Sequence, residues 1–205
     1  MVFDWFKKVS KDYPKFWENY LENFDQVPID SKPKRFVVFD CETTGLDHRK
    51  DVILSIGAIA VVENAIIVND ALEVFLKQDV YKPETASIHG ILKEGKEEKI
   101  VEAEAVIRFL EFIKNAILVG HNVNFDIEMI NQALKRLDVG KLKNDSMDTD
   151  AMYQKLKGFQ EDQHSTLDEL CKVLKVEKSD RHTASGDAYI TALVFLKLKK
   201  KLQIS

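Results

Sequence analysis

Apolar residues come along this chain in short runs with sharp ends. The first, Phe36-Val37-Val38-Phe39, consists of strand formers and stops abruptly at Asp40-Cys41-Glu42-Thr43-Thr44-Gly45-Leu46-Asp47. A strand sends alternate side chains to opposite faces, so Asp40 and Glu42 share a face while Cys41 leaves the other as a buried core thiol. Further apolar runs, Val52 to Val62 and Ile66 to Leu76, are separated by Glu63-Asn64-Ala65. Asn tolerates positive φ, which predicts a tight hairpin here. The stretch from Asp79 to Lys99, punctuated by Pro83, Gly90 and Gly95, predicts a helical turn and then a solvated loop.

From Glu102 onward the period changes. Ala105, Val106, Phe109, Leu110 and Ile113 recur at helical spacing and lead into a short buried strand, Ile117-Leu118-Val119. Gly120-His121-Asn122 then turns the chain into a helix from about Asn124 to Leu137. A last strand over Ser146 to Thr149 and helices near Ala151 to Leu156, Leu167 to Leu174 and Ala184 to Leu202 complete the pattern. Hairpin strands followed by strand-helix alternation predict an α/β fold: a mixed sheet, antiparallel hairpin strands then parallel strands, flanked by helices.

Residues 1-32 form a separate aromatic segment and linker ahead of a domain spanning 33-205. The segment holds both tryptophans with Phe3, Phe6, Tyr13, Phe16, Tyr20 and Phe24, largely at helical steps. Pro14 is acceptable in a first helical turn, so two short helices broken near Asp12 are expected, then a linker through Pro28 and Pro33. Packing against the domain is the better reading of this segment; docking a protein partner is the sharper one.

At 205 residues and 45% hydrophobic content, the chain suffices for one well-cored domain. Two cysteines, Cys41 and Cys171, without a Cys/His cluster argue against a disulfide framework and structural zinc, and fit a reducing cytoplasm. The N-terminus lacks the charge order of a signal peptide, and no apolar run approaches the length of a membrane span. The net charge of -4 is not the basic footprint usual for nucleic-acid binders. Two divalent cations in an acidic site would cancel it, leaving lysines at Lys7-Lys8-Lys11, Lys32-Lys34-Arg35, Lys141-Lys143 and Lys197-Lys199-Lys200-Lys201 to make a local positive track; singly, each is better read as a solvated face.

Two acids stand on the wrong faces of their helices. Asp126 lies near the middle of the stripe Phe125, Met129, Ile130, Ala133, Leu134 and Leu137, in a first turn where the helix dipole favours a carboxylate. Asp187 aligns with Thr191, Val194 and Leu198, and Gly186 beside it permits close approach of a backbone or substrate. On one continuous helix His182 and Asp187 would diverge by about 140°. His182 is therefore expected just before the helix, reaching back toward the same space, with a pKa suited to proton transfer. Asp40, Glu42, Asp126 and Asp187 then make an oxygen-rich set suited to Mg²⁺ or Mn²⁺ rather than zinc.

Three segments carry a resemblance to a known family. Phe39-Asp40-Cys41-Glu42-Thr43-Thr44-Gly45-Leu46, His121-Asn122-Val123-Asn124-Phe125-Asp126 and His182-Thr183-Ala184-Ser185-Gly186-Asp187 resemble, in order, the three motifs of the DnaQ-like, DEDDh-type 3′-to-5′ exonucleases. Epsilon-type proofreading subunits of bacterial DNA polymerase III look nearest, and the resemblance runs from about residue 34 to 200. It implies a ribonuclease H-like fold and two divalent ions, Mg²⁺ or Mn²⁺, ligated by Asp40, Glu42, Asp126 and Asp187. It further implies His182 as general base toward the attacking water, and nucleoside 5′-monophosphates as products. By the same resemblance Thr43 and Thr44 would hold the terminal nucleotide, Leu46 would press on its base, and His121, Asn122 and Phe125 would line the cleft. For Leu46 and Phe125 a core role, and for Asn122 a helix-cap role, stand as the structural alternatives. The implied partner is nucleic acid with a free 3′ end, single-stranded, most simply DNA in proofreading or repair; an exoribonuclease trimming RNA is the alternative.

Two other readings rank lower. Asp40-Cys41-Glu42-Thr43-Thr44 also looks like the Asp-x-Asp-x-Thr motif of haloacid-dehalogenase-like phosphatases, but Glu42 stands where that family needs Asp, and Gly186-Asp187 is followed by Thr191 where a further Asp is required. A non-catalytic nucleic-acid-binding module typically lacks one or more of the acids, and all four are present here.

Overall fold

The computed structural model describes residues 13–25, 34–80, 82–92, 95–158 and 163–204. The expected break near Asp12 and the Pro28–Pro33 linker lie outside the described residues. One helix of the N-terminal segment is described, α1 (Lys15–Glu22), with Pro14 at its N-cap.

The central strand β1 (Arg35–Thr43) pairs antiparallel with β2 (Ile53–Val62), which pairs antiparallel with β3 (Ala65–Leu76). Val62 faces Ala65 across the hairpin, so the loop is just Glu63 and Asn64. The positive φ falls on Glu63, at 55°, rather than on the expected Asn64. After α2 (Pro83–His89), a two-residue strand β4 (Lys99–Ile100) adds parallel to β3 where a solvated loop was expected. The helix α3 (Glu102–Ile113) leads to β5 (Ile117–Gly120), parallel to β1, then to α4 (Val123–Arg136) and β6 (Ser146–Asp148), parallel to β5. Three helices follow: α5 (Thr149–Lys157), α6 (Leu167–Leu174) and α7 (Ala184–Leu202). The sheet order is β4-β3-β2-β1-β5-β6, the mixed arrangement expected.

Alternation along β1 divides the core between the sheet's two faces. Val37, Phe39 and Cys41 pack with residues of α1, α3 and α4 on one side. Phe36 and Val38 pack with α5, α6 and α7 on the other. Asp40 and Glu42 continue this second face, where the strand leaves its apolar cover.

Trp17 and Tyr20 of α1 belong to the same buried cluster as Phe39 and Phe109. The Tyr20 hydroxyl donates to Asn144 Oδ1 at 2.7 Å and accepts the Lys143 N–H at 2.7 Å. Part of the aromatic segment is thus core of the domain that follows it. The lysines near the chain's end serve local structure: Lys197 donates to the Leu174 and Lys175 carbonyls, and buried Lys199 to the Glu63 carbonyl. At about 1.5 Å per residue they lie some 15–18 Å along α7 from Asp187, so they form no positive track at the acidic site. No helix among the described residues is long and apolar enough to cross a membrane.

Candidate active site

Three carboxylates converge where β1 passes beneath the first turn of α7. Asp40, Glu42 and Asp187 each offer an oxygen, and these oxygens all lie within 4.8 Å of one another. Alternation on β1 supplies the first two. The third depends on α7 seating closely on the sheet, and Gly57, paired with Asp40 across β1 and β2, allows it. A Cβ at Gly57 would stand 2.2 Å from the Ala184 carbonyl carbon and the Ser185 nitrogen. The N-terminus of α7 therefore rests directly on β2, a contact that requires glycine.

Asp126 approaches from the first turn of α4. Only 4% exposed, it turns Oδ1 to the Cys41 N–H at 3.0 Å and so is fixed beside the other three acids rather than among them. Cys41 itself points into the core, and burial with the surrounding acids pushes its thiol well above the ordinary range.

The electrostatics are those of like charges crowded in a poorly solvated place. Burial first, then Asp126, Glu42 and Asp187, push Asp40 well above the usual carboxylate range, with Arg181 opposing. Burial and Asp187 raise Glu42 to about 7. Burial raises Asp126 to about 8, against the pull of the Cys41 N–H. Each of these groups favours a proton or another positive charge nearby.

Arg181 supplies one such charge and was not anticipated from sequence. Its Nη1 bonds Asp187 Oδ1, and its Nε donates to Asp168 Oδ1 at 3.2 Å. An Arg beside a His carries no sequence signal until the fold sets it against an acid. His182 sits, as expected, just before α7, with a left-handed φ of 64° and an exposed side chain. Its backbone N–H donates to Asp187 Oδ2 at 3.3 Å. The close approach permitted by Gly186 is filled by the chain itself, since a Cβ there would lie 2.0 Å from the Asp180 carbonyl oxygen.

The other predicted contacts divide. Leu46 is 85% exposed on the loop after β1, so it is not core. Thr43, half-buried, donates its hydroxyl to the Gly45 carbonyl at 2.7 Å. Thr44 is fully buried, with its hydroxyl donated to Asp51 Oδ1 at 2.9 Å; its side chain holds the loop and does not face the cleft. His121 places Nδ1 3.0 Å from the Thr149 hydroxyl, and burial lowers its pKa. Asn122, in a left-handed conformation, makes no side-chain cap to α4; that helix's first N–H, from Val123, goes to Asp148 Oδ2 at 2.8 Å. Asn122 and Phe125 line a cavity of about 340 Å³ with Asp148, Asp150 and His164. Buried Asp150 accepts from His164 Nδ1 at 2.7 Å, a pair with no signal in the local sequence pattern. A larger cavity, about 530 Å³, lies over Ser55 and Glu73 between the His89–Ile91 segment and the start of α7.

Residues 37–195 match the RNase T exonuclease family. The chain is 35% identical over 173 residues to DNA polymerase III PolC-type of Caldanaerobacter subterraneus subsp. tengcongensis, an overlap of 82% of this chain but 12% of that relative's length. It is also 35% identical over 172 residues to DNA polymerase III subunit epsilon of Salmonella typhimurium, covering 79% of this chain and 70% of the relative. Among solved structures, E. coli Exonuclease I in complex with a dA16 oligonucleotide superposes with a TM-score of 0.72 at 21% identity, covering 83% of this chain and 42% of that one. At that identity the likeness shows the fold, which is the ribonuclease H-like one. With the family matched over most of its length and an epsilon relative covered over 70% of its own, the chain belongs to the DnaQ-like RNase T exonuclease family, as an exonuclease-family enzyme.

Proposed function

We propose that the chain is a metal-dependent 3′-to-5′ exonuclease that hydrolyses the terminal phosphodiester of single-stranded DNA and releases nucleoside 5′-monophosphates in the cytoplasm, as a proofreading- or repair-type enzyme. The observation that carries this reading is the convergence of Asp40, Glu42 and Asp187 within 4.8 Å, with Asp126 held beside them. The set fits divalent metal: it offers hard oxygen donors, and the raised Glu42 and Asp126 mark a site where positive charge is favoured. Asp40, Glu42, Asp126 and Asp187 would hold two Mg²⁺ or Mn²⁺ ions. When bound, such ions polarise the scissile phosphate and offset the charge that develops on it.

The chain's own residues supply the rest. His182, with an exposed side chain and its backbone tied to Asp187, would accept a proton from the attacking water. The Cys41 N–H holds Asp126 in a fixed orientation. Leu46, presented into solvent, offers an apolar surface for a base, and Thr43 stands at the same loop's origin. Asn122 and Phe125, which line the 340 Å³ cavity, and His121, whose Nδ1 lies 3.0 Å from the Thr149 hydroxyl, would line the cleft.

The test is chromatography of products after incubating single-stranded DNA and, in parallel, RNA with the protein and Mg²⁺. Nucleoside 5′-monophosphates released faster from DNA are expected. Faster release from RNA would reassign the substrate to an exoribonuclease, and inorganic phosphate released from small esters would replace the nuclease reading with a phosphatase.

A further inference from the structure

One buried carboxylate near the site has no part in the acidic cluster. Asp51, 4% exposed, lies just before β2 and gathers donors from three places. The Thr44 hydroxyl donates to Oδ1 at 2.9 Å, the Asp47 N–H to Oδ2 at 3.0 Å, and Lys82 Nζ lies 2.5 Å from Oδ1. Thr44 Oγ1 in turn accepts the Val52 N–H at 3.1 Å, and the Thr44 N–H donates to the Val52 carbonyl at 3.0 Å. The segment from Thr44 to Val52 is thus a closed loop with the Asp51 carboxylate at its hub. Gly45 lies over the same carboxylate, where a Cβ would stand 2.5 Å from Oδ2. Burial would push Asp51 up, but the bonds from Lys82, Asp47 and Thr44 hold it below the usual range.

Burying a carboxylate in a surface loop is costly unless its partners are fixed, so the arrangement exchanges flexibility for a defined shape. What that shape presents is Leu46, 85% exposed at the tip. Lys82 is the N-cap residue of α2, whose far end runs into the His89–Ile91 wall of the 530 Å³ cavity. The Lys82–Asp51 pair therefore ties the Leu46 loop to the element across from it.

We propose that Asp51 is a positioning residue for the 3′-terminal nucleotide: through Thr44, Asp47 and Lys82 it holds the Thr43–Leu46 loop at a fixed distance from α2, so that the seat for the terminal base is formed before substrate arrives. The inference rests on the exonuclease reading. Preorganisation of this kind acts on binding, because a loop already in its bound shape loses no freedom on capture. Removing it raises KM and leaves the acids and His182 to work at their normal rate once the strand is seated.

The experiment is steady-state digestion of a single-stranded DNA oligonucleotide by the full chain and by Lys82→Met, Lys82→Arg and Asp51→Asn, with thermal melting of each. Lys82 is partly exposed, so Lys82→Met removes the tie without opening the core even if Asp51→Asn fails to fold. The expected result is a KM raised roughly tenfold in Lys82→Met, kcat within about threefold of the parent, and KM restored in Lys82→Arg. An unchanged KM in Lys82→Met, or a loss confined to melting temperature and kcat, overturns the positioning role while leaving the exonuclease reading intact. No cleavage by the parent chain overturns that reading, and this inference with it.

Discussion

At Asp40, Glu42 and Asp126 the fold works against ionisation, whereas metal ligation needs carboxylates. That opposition is what makes the residues recognisable as a site. The candidate site was legible in sequence at Asp126, because a charge in the middle of an apolar helical stripe has no ordinary explanation, and at Asp187 by the same reasoning. Asp40 and Glu42 were legible through strand alternation. Thr44, Asp51 and Arg181 were not, since the roles of all three depend on closures that no local pattern encodes: a hydroxyl meeting a carboxylate seven residues on, and a guanidinium folded back on the first turn of α7. At this scale the sharpest prediction concerns His182. His182→Ala is expected to lower turnover by about 10²–10⁴-fold, the usual worth of general-base catalysis, with Mn²⁺ binding by calorimetry unchanged. Turnover at the parent's rate would remove His182 from the chemistry.

Among the elements, the hairpin strands, the helices at 3.6-residue spacing and the parallel β5 could be read from apolar runs because their burial is one-sided or complete along a continuous stretch. β4 could not: Lys99 and Ile100 follow a charged run and become a strand only by pairing with β3. The hairpin turn showed a similar limit, since Glu63 takes the left-handed position that intrinsic preference assigns to Asn64. The start of α7 brings Asp187 to Asp40 and Glu42, and its placement depends on Gly57. Gly57→Ala is expected to displace α7 from β2, costing about 1–3 kcal/mol in urea unfolding and separating Asp187 from Asp40 and Glu42. Nuclease activity should fall further than the loss of folded protein explains. Full activity in a Gly57→Ala protein would mean that close seating of α7 is dispensable.

For the whole molecule, the acidic cluster links stability, pH and metal. Asp40, Glu42 and Asp126 titrate near 4 when unfolded, while in the fold Asp40 is raised, Glu42 titrates at about 7 and Asp126 at about 8. Their contribution to stability is fully present below the unfolded values and is lost as pH rises through the folded ones. Metal-free protein should therefore melt lower at pH 8.5 than at pH 6 on account of these groups, and added Mn²⁺ should raise the melting temperature more at the higher pH, where fewer protons must be displaced. A metal-induced shift independent of pH would mean that the ion binds elsewhere. The central claim, that these four acids make the centre of a 3′-end nuclease, is tested most directly by digesting a 5′-labelled single strand and resolving the products by length. With Mg²⁺ the chain should give a ladder shortening one nucleotide at a time from the 3′ end, and the ladder should vanish in EDTA and in Asp126→Ala. Internal cuts, or an undiminished ladder from Asp126→Ala, would contradict it.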